Sequence, residues 1–374
     1  MRLHPLALVL PLLALALYAC VDATPPRLRP EAGQYLVEGR IVDQPGLSRL
    51  SVRRSVLRSQ RIFLEPGRDV RVVSVDDGGA ETAWAGQDGN FRPPPGFRPE
   101  TGRAYFVRII TAEGDVLESD PETMPPPVPI DSLYYRFDQE AYFDDGLQNF
   151  VPAFELFIDF ADDPASRNYY RTTFRKWEEL ESCYFCPPRS RYDTAALQCR
   201  PWRENIFGWD YRCNTRCWGI DSSRQLTVHS DELTNGNYQR GVAAGRSPYL
   251  NFITARLFEV RLYSTSGPTY DYNRNFRSLS EEAAGLNAPA PTPLVGNVRF
   301  RGARSNELVL GQVGVSSVTT RRLFVRPREH GGFPLAVRPP LLFEPKNDSL
   351  DRPPDVPCVG LTRTPVRPRG WAPP

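Results

Sequence analysis

Histidine and lysine, two residue types that carry much of protein chemistry, are nearly missing from this chain of 374 residues. Three histidines occur, and His4 falls in an amino-terminal leader, which leaves His229 and His330. Histidine is the commonest general base and metal ligand near neutral pH, so two isolated copies leave little material for a Ser/His/Asp triad or a polyhistidine metal site. Lys176 and Lys346 are the only lysines, and the basic charge rests on arginine. The formal net charge is +2, too small for the electrostatic footprint of a nucleic-acid-binding protein. Long apolar runs are also scarce. Only residues 6–17 form one, and no later stretch is long and apolar enough for a transmembrane helix.

That single run has the marks of an export signal. Arg2 supplies a positive start, and Leu6 to Leu17 is almost entirely Leu, Ala and Val, broken by Pro11. It is short for a bilayer span and fits a signal-peptide core. It ends in Leu17-Tyr18-Ala19-Cys20, which looks like a lipobox, where cleavage precedes a cysteine carrying diacylglycerol and, after processing, a further acyl chain such as palmitate. The reading is a signal peptide over 1–19 and a lipidated tether over 20–33, rich in Pro and Arg and extended. An ordinary signal peptide cut near Ala19 is the alternative.

The remaining sequence predicts an all-β protein. Tyr35 to Val42 reads as a strand, and Asp69 to Val75 alternates before the turn Asp76-Asp77-Gly78-Gly79. Gln87 to Phe91 holds another turn, and Arg103 to Thr111 puts Tyr105, Val107 and Ile109 on one face. This spacing predicts an immunoglobulin-like or transthyretin-like sandwich over 34–122. A proline-rich linker over 123–130 precedes a second, larger domain over 131–328, expected to be a β-sandwich or barrel-like. Within it, Phe154, Leu156, Ile158 and Phe160 share one face of a strand, and Tyr169 to Phe174 forms another. Arg256 to Ser264 is expected to turn Phe258, Val260 and Leu262 inward and Glu259 and Arg261 outward. Ser278-Leu279-Ser280-Glu281 matches a capping box and predicts the start of a short helix. Residues 329–374 are a proline-rich tail held by the body.

Six cysteines remain besides Cys20: Cys183, Cys186, Cys199, Cys213, Cys217 and Cys358. An even set in an exported protein reads as disulfides, in any of about 15 connectivities. Zinc ligation by Cys183, Cys186, Cys213 and Cys217 is the competing reading, disfavoured by export. Most of these cysteines fall in residues 174–218, expected to be a loop-rich, disulfide-stapled insertion. It also carries many aromatics, among them Trp202 and Trp209, which suit a binding platform if exposed and a small core if not. Acidic pairs at Asp144-Asp145 and Asp162-Asp163 sit in turns and read as solvated, with a surface calcium site at the second pair a lesser alternative. No catalytic constellation and no cofactor or metal requirement emerges. Asp131-Ser132-Leu133, Asp193-Thr194-Ala195 and Asp348-Ser349-Leu350 resemble a short O-glycosylation sequon.

The order of several fragments is itself informative: Leu36-Val37-Glu38-Gly39, Pro127 to Ser132, Tyr169-Tyr170-Arg171, Cys217-Trp218, Tyr263-Ser264, Gly296-Asn297-Val298, Val309-Leu310-Gly311, then Cys358 with Trp371 downstream. Together they resemble a Bacteroidota outer-membrane lipoprotein family catalogued as a domain of unknown function (four-two-four-nine). The resemblance implies an envelope lipoprotein, often encoded beside a TonB-dependent receptor, and no established activity. It also leads one to expect a second cysteine shortly after Cys358, where Gly360 and Leu361 stand, so a local disulfide there is doubtful. The expected function is therefore an outer-membrane-anchored accessory or binding lipoprotein partnered with a TonB-dependent transporter, without nucleic acid. A carboxylate-dependent glycan hydrolase and a structural envelope protein are the alternatives. Only Asp22 follows Cys20 closely, so the sequence does not assign the membrane face.

Overall fold

The computed structural model describes residues 32–374 except 60, 187–188, 194, 197, 203–209, 224, 252, 283–293, 338–357, 359–360 and 373–374. The side chains of 181–185, 192, 210–216 and 281–282 also lie outside the described set. The signal segment, Cys20 and Trp209 therefore fall outside it, as do the side chains of Cys183 and Cys213.

The chain is predominantly β-sheet. Its first part holds β1 (Tyr35–Val42), β2 (Arg49–Arg58), β3 (Arg61–Pro66), β4 (Arg71–Asp76), β5 (Glu81–Gln87), β6 (Asn90–Arg92), β7 (Ala104–Ile110), β8 (Val116–Ser119) and β9 (Glu122–Thr123). Next come β10 (Ser132–Asp144), β11 (Asn149–Ala161), β12 (Tyr169–Cys186), β13 (Ser190–Asp193), β14 (Gln198–Pro201), β15 (Asp210–Ser222), β16 (Thr227–Ser230) and β17 (Tyr238–Pro248). The last part has β18 (Arg256–Thr265), the helix α1 (Gly267–Glu282), β19 (Val298–Phe300), β20 (Val313–Val325) and β21 (Arg363–Thr364).

Turn chemistry explains the hairpins. Asp76 Oδ1 accepts from the amides of Gly78 and Ala80, both at 2.9 Å, which closes the β4–β5 turn. Asp88 and Gly89 both have positive φ, 52° and 71°, as a tight two-residue hairpin requires. Alternation then buries one side of each strand. Val37, Ile41, Leu50 and Val52 from β1 and β2 meet Val72, Val107 and Ile109 from β4 and β7 across one core. A second core lies where the three-stranded sheet β10–β11–β17 covers β12, β18 and β20. It holds Phe154, Leu156, Ile158 and Phe160 against Tyr170, Phe258, Val260 and Leu262.

The two cores share one sheet, with β1 and β20 paired in parallel at its centre. This pairing crosses the division drawn at the proline-rich linker, because β20 joins the first strand of the chain. β19 likewise returns to pair with β8. A proline linker signals a change of direction in the chain; it carries no information on where later strands return.

Three local expectations need correction. Residues 174–218 do not form a loop-rich insertion: β12 and β15 run as one antiparallel ribbon from Arg175↔Ser222 to Cys186↔Asp210, with the β13–β14 hairpin beyond. Alternating polar and aromatic residues there resemble loop composition, and that hid the strands. The Ser278–Glu281 motif lies at the end of α1, not its start. The start is Ser266, whose Oγ accepts from the Thr269 amide at 3.2 Å, with Pro268 in the first turn. Glu259 is not solvated: its side chain is 4 % exposed and pairs with Arg261 at 2.6 Å and with Arg322. Strand periodicity assigns Glu259 its face correctly; that neighbouring arginines cover the face is a tertiary fact.

The end of the tail packs on the body. β21 adds to β15, and Trp371 packs edge-on against Trp218 and Phe324.

Candidate functional site

The sheet face opposite the first core carries residues two apart along five strands. Glu38 and Arg40 project from β1, Arg49 and Ser51 from β2, Gly314 and Ser316 from β20, Tyr263 and Thr265 from β18, and Arg171 and Thr173 from β12. Cross-strand register sets Arg40 opposite Arg49 and Arg171 opposite Tyr263. Helix α1 stands over this face with Thr269, Tyr272, Asn273 and Phe276, the i, i+3, i+4, i+7 stripe of one helix side. Between them lies a cavity of about 570 Å³. Gly314 keeps the helix close, since a Cβ there would meet the Thr269 hydroxyl at 2.8 Å.

The lining is strongly cationic. Among the described residues of the lining, Arg40, Arg49, Arg92 and Arg171 face one carboxylate, Glu38. Burial pushes the Arg40 guanidinium down to about 10, and nearby Arg49, Arg171 and Arg261 push it further in that direction against the opposing influence of Tyr263. Burial also lowers Arg171, with Arg49 adding to the effect. Arg40 donates its Nε–H to the Leu47 carbonyl at 3.2 Å and lies 5.5 Å over the Tyr263 ring. The Arg171 Nε is buried without a hydrogen-bond partner among the described residues.

Behind the helix start, Glu122 ties the site together. Its buried carboxylate accepts from Ser266 Oγ at 2.8 Å, Thr269 Oγ1 at 2.9 Å, Gln312 Nε2 at 3.1 Å, Asn297 Nδ2 at 3.3 Å and the Val315 amide at 3.0 Å. Burial raises its pKa, and these donors oppose the shift. Two glycines permit the close approach of the segments involved. A Cβ on Gly296 would fall 1.4 Å from the Gly311 carbonyl oxygen, and one on Gly311, at φ 95°, 2.1 Å from that of Val37.

The residues singled out in the sequence fall elsewhere. Cys186 is bonded to Cys199, and Cys217 to Cys358 across 141 residues. The Cys186 and Cys217 sulfurs are therefore not available as zinc thiolates. Cys358 finds its partner on β15, opposite Leu180 in the β12–β15 ribbon, rather than in the tail. Trp202 is 39 % exposed under the Arg191 guanidinium at 5.0 Å, whereas Trp177 and Trp218 are core, packed with Leu257. Asp144 caps its own hairpin turn. Asp162, expected to be solvated, is buried and accepts from the Tyr170 hydroxyl at 2.5 Å and the Gly236 amide at 2.9 Å. It lies within hydrogen-bonding reach of Asp231, which is fully buried and whose pKa is raised by that burial and by Asp162. The Ser132 hydroxyl is engaged, donating to Asp159 at 2.6 Å. His229 contacts Gln239, and His330 packs on Phe137 in a loop.

Among the described residues, no helix is long and apolar enough to cross a membrane, and no cluster of three or more His, Cys, Asp or Glu has metal-binding geometry. The fold and site define a disulfide-bonded, predominantly β-sheet protein with an arginine-lined cavity. The chain belongs to the family described as domain of unknown function (DUF4249), whose model matches residues 22–322. No curated protein matches it.

Proposed function

We propose that the protein is an accessory binding lipoprotein of the outer membrane, held by lipid on Cys20, which takes a small ligand in the cavity under α1 and works with a TonB-dependent transporter. The observation that carries this reading is the cavity itself: about 570 Å³, in the range of small-molecule sites, with the rigid sheet as its floor and side chains from both ends of the chain as its walls. The two disulfides among the described residues support export to an oxidising compartment. The two layers around the first core are consistent with an immunoglobulin-like or transthyretin-like sandwich.

Hydrolysis is the weaker reading. Two-carboxylate catalysis on glycans needs the groups roughly 5–10 Å apart across a cleft. Here, among the described residues, Glu38 is the cavity's one carboxylate, while Asp162 and Asp231 meet each other in the interior. Affinity purification from solubilised outer membranes tests the partnership. Wild type is expected to retain a TonB-dependent transporter, and Cys20→Ser to lose both palmitate label and membrane fractionation. A Trp202→Ala, Trp209→Ala protein that retains its melting temperature but loses the transporter would place docking on the ribbon. Palmitate incorporation surviving in Cys20→Ser contradicts the anchor.

A further inference from the structure

The cavity's chemistry narrows its ligand. This step rests on the reading of the cavity as a binding site. Several other arginines that are buried or partly buried are paired with carboxylates: Arg256 with Glu178 at 2.6 Å, Arg108 with Glu118 at 2.6 Å, Arg103 with Asp77 at 2.9 Å. No carboxylate among the described residues pairs with Arg40, Arg49 or Arg171. Yet these three guanidiniums are gathered on one sheet face by register, Arg40 and Arg171 partly buried and Arg49 exposed at its edge. Gathering like charges away from water is unfavourable unless a counter-charge joins them. Among the described residues the lining offers one carboxylate, Glu38, against four arginines.

We infer that the cavity binds a small organic anion, with its carboxylate or phosphate oxygens held by Arg40, Arg49 and Arg171. A planar guanidinium donates two parallel hydrogen bonds to either oxyanion, and that shared geometry defines the class. The aromatic side chains of Tyr263 and Tyr272 give the carbon skeleton an apolar wall. The cavity volume exceeds what one inorganic phosphate fills, so the anion is part of a larger molecule.

The test is isothermal titration of the full mature protein in detergent, at low and high salt. Citrate serves as the polycarboxylate probe, glucose 6-phosphate as the phosphate ester, inorganic phosphate as the bare anion and glucose as the neutral control. Citrate or glucose 6-phosphate is expected to bind more tightly than glucose, with affinity falling as salt rises. Whichever of the two binds more tightly identifies the oxyanion. Arg40→Gln, Arg171→Gln and Arg49→Gln are each expected to weaken binding at least tenfold. Ligand-free Arg49→Gln and Arg171→Gln should melt no lower than wild type, because each relieves like-charge crowding; a merely structural arginine would lower the melt. Glucose binding as well as glucose 6-phosphate, indifferent to the arginine variants, would overturn the anionic class while leaving a ligand cavity. Failure of all anionic probes to bind or to stabilise the fold would overturn it too. Absence of any small molecule on protein drawn from the envelope would instead count against the binding reading itself.

Discussion

Arg40 and Arg49 stand directly opposite each other across the β1–β2 ladder, two guanidiniums on one face of the sheet with no carboxylate of the described residues to separate them. Like charges directly opposite on paired strands destabilise a sheet, by a few tenths of a kcal/mol to about 1 kcal/mol. Arg49→Gln is therefore expected to leave the ligand-free melting temperature unchanged or to raise it. Raising salt should narrow the difference, since screening does part of the same work. Differential scanning fluorimetry of both proteins at two salt concentrations measures this. A lower melt for Arg49→Gln at low salt would show that the pair is stabilised by something else.

Glu122 is held by five donors from three separate segments. Glu122→Gln keeps the shape but replaces one acceptor oxygen with a donor that faces donors. The expected loss is about 2 kcal/mol or more, since hydrogen bonds to a charged group are worth about 1.5–3 kcal/mol each and a buried unmatched donor costs a similar amount. Urea unfolding of the two proteins reports it. Because Thr269 both binds Glu122 and lines the cavity, the variant should weaken ligand binding as well.

Asp231 and Asp162 present acceptor oxygens to each other in the interior, and Asp231 Oδ1 has no donor among the described residues. The folded-state carboxyl of Asp231 titrates above its unfolded value. Its stabilising contribution is thus full below the unfolded carboxyl range, about 3.9, and is lost as pH rises through the raised folded value. Asp231→Asn mimics the protonated form at every pH, retains an oxygen for the Asn168 amide and offers Asp162 a donor. It should melt higher than wild type at pH 7, with the gap closing as pH falls towards 4. A variant that melts lower at pH 7 would mean that ionised Asp231 has a cationic partner.

The Cys217–Cys358 bond closes a loop of 141 residues and pins the tail to the ribbon base. Cys358→Ser should cost about 2–5 kcal/mol and release the tail first. Limited proteolysis is expected to cut near Arg363 in the variant and not in wild type. The shorter Cys186–Cys199 loop should matter less to global stability.

Much of the strand content was legible because burial follows a period of two. Tyr105, Val107 and Ile109, or Phe154 through Phe160, are read correctly from alternation alone. The cavity was written in the same periodicity, on the other face: Glu38 and Arg40, Arg171 and Thr173, Tyr263 and Thr265 alternate with the core residues. Polar positions on a strand read as solvent-facing, and only the return of β20 beside β1, with α1 over the face, turns them into an enclosed wall. Thr269, Tyr272, Asn273 and Phe276 carried a helical spacing, and Ser266-Gly267-Pro268 a helix start, that could have drawn attention. Pairing of Cys217 with Cys358 and of Asp162 with Asp231 depends on contacts between residues far apart in sequence, which no local pattern specifies.

The most direct test of the central claim is native mass spectrometry of the lipoprotein taken intact from the envelope, wild type beside an Arg40→Gln, Arg171→Gln double variant. The account predicts a small acidic molecule bound to wild type in a fixed ratio and missing from an equally folded double variant. A neutral or cationic ligand held equally by both proteins, or no ligand on either, would contradict it.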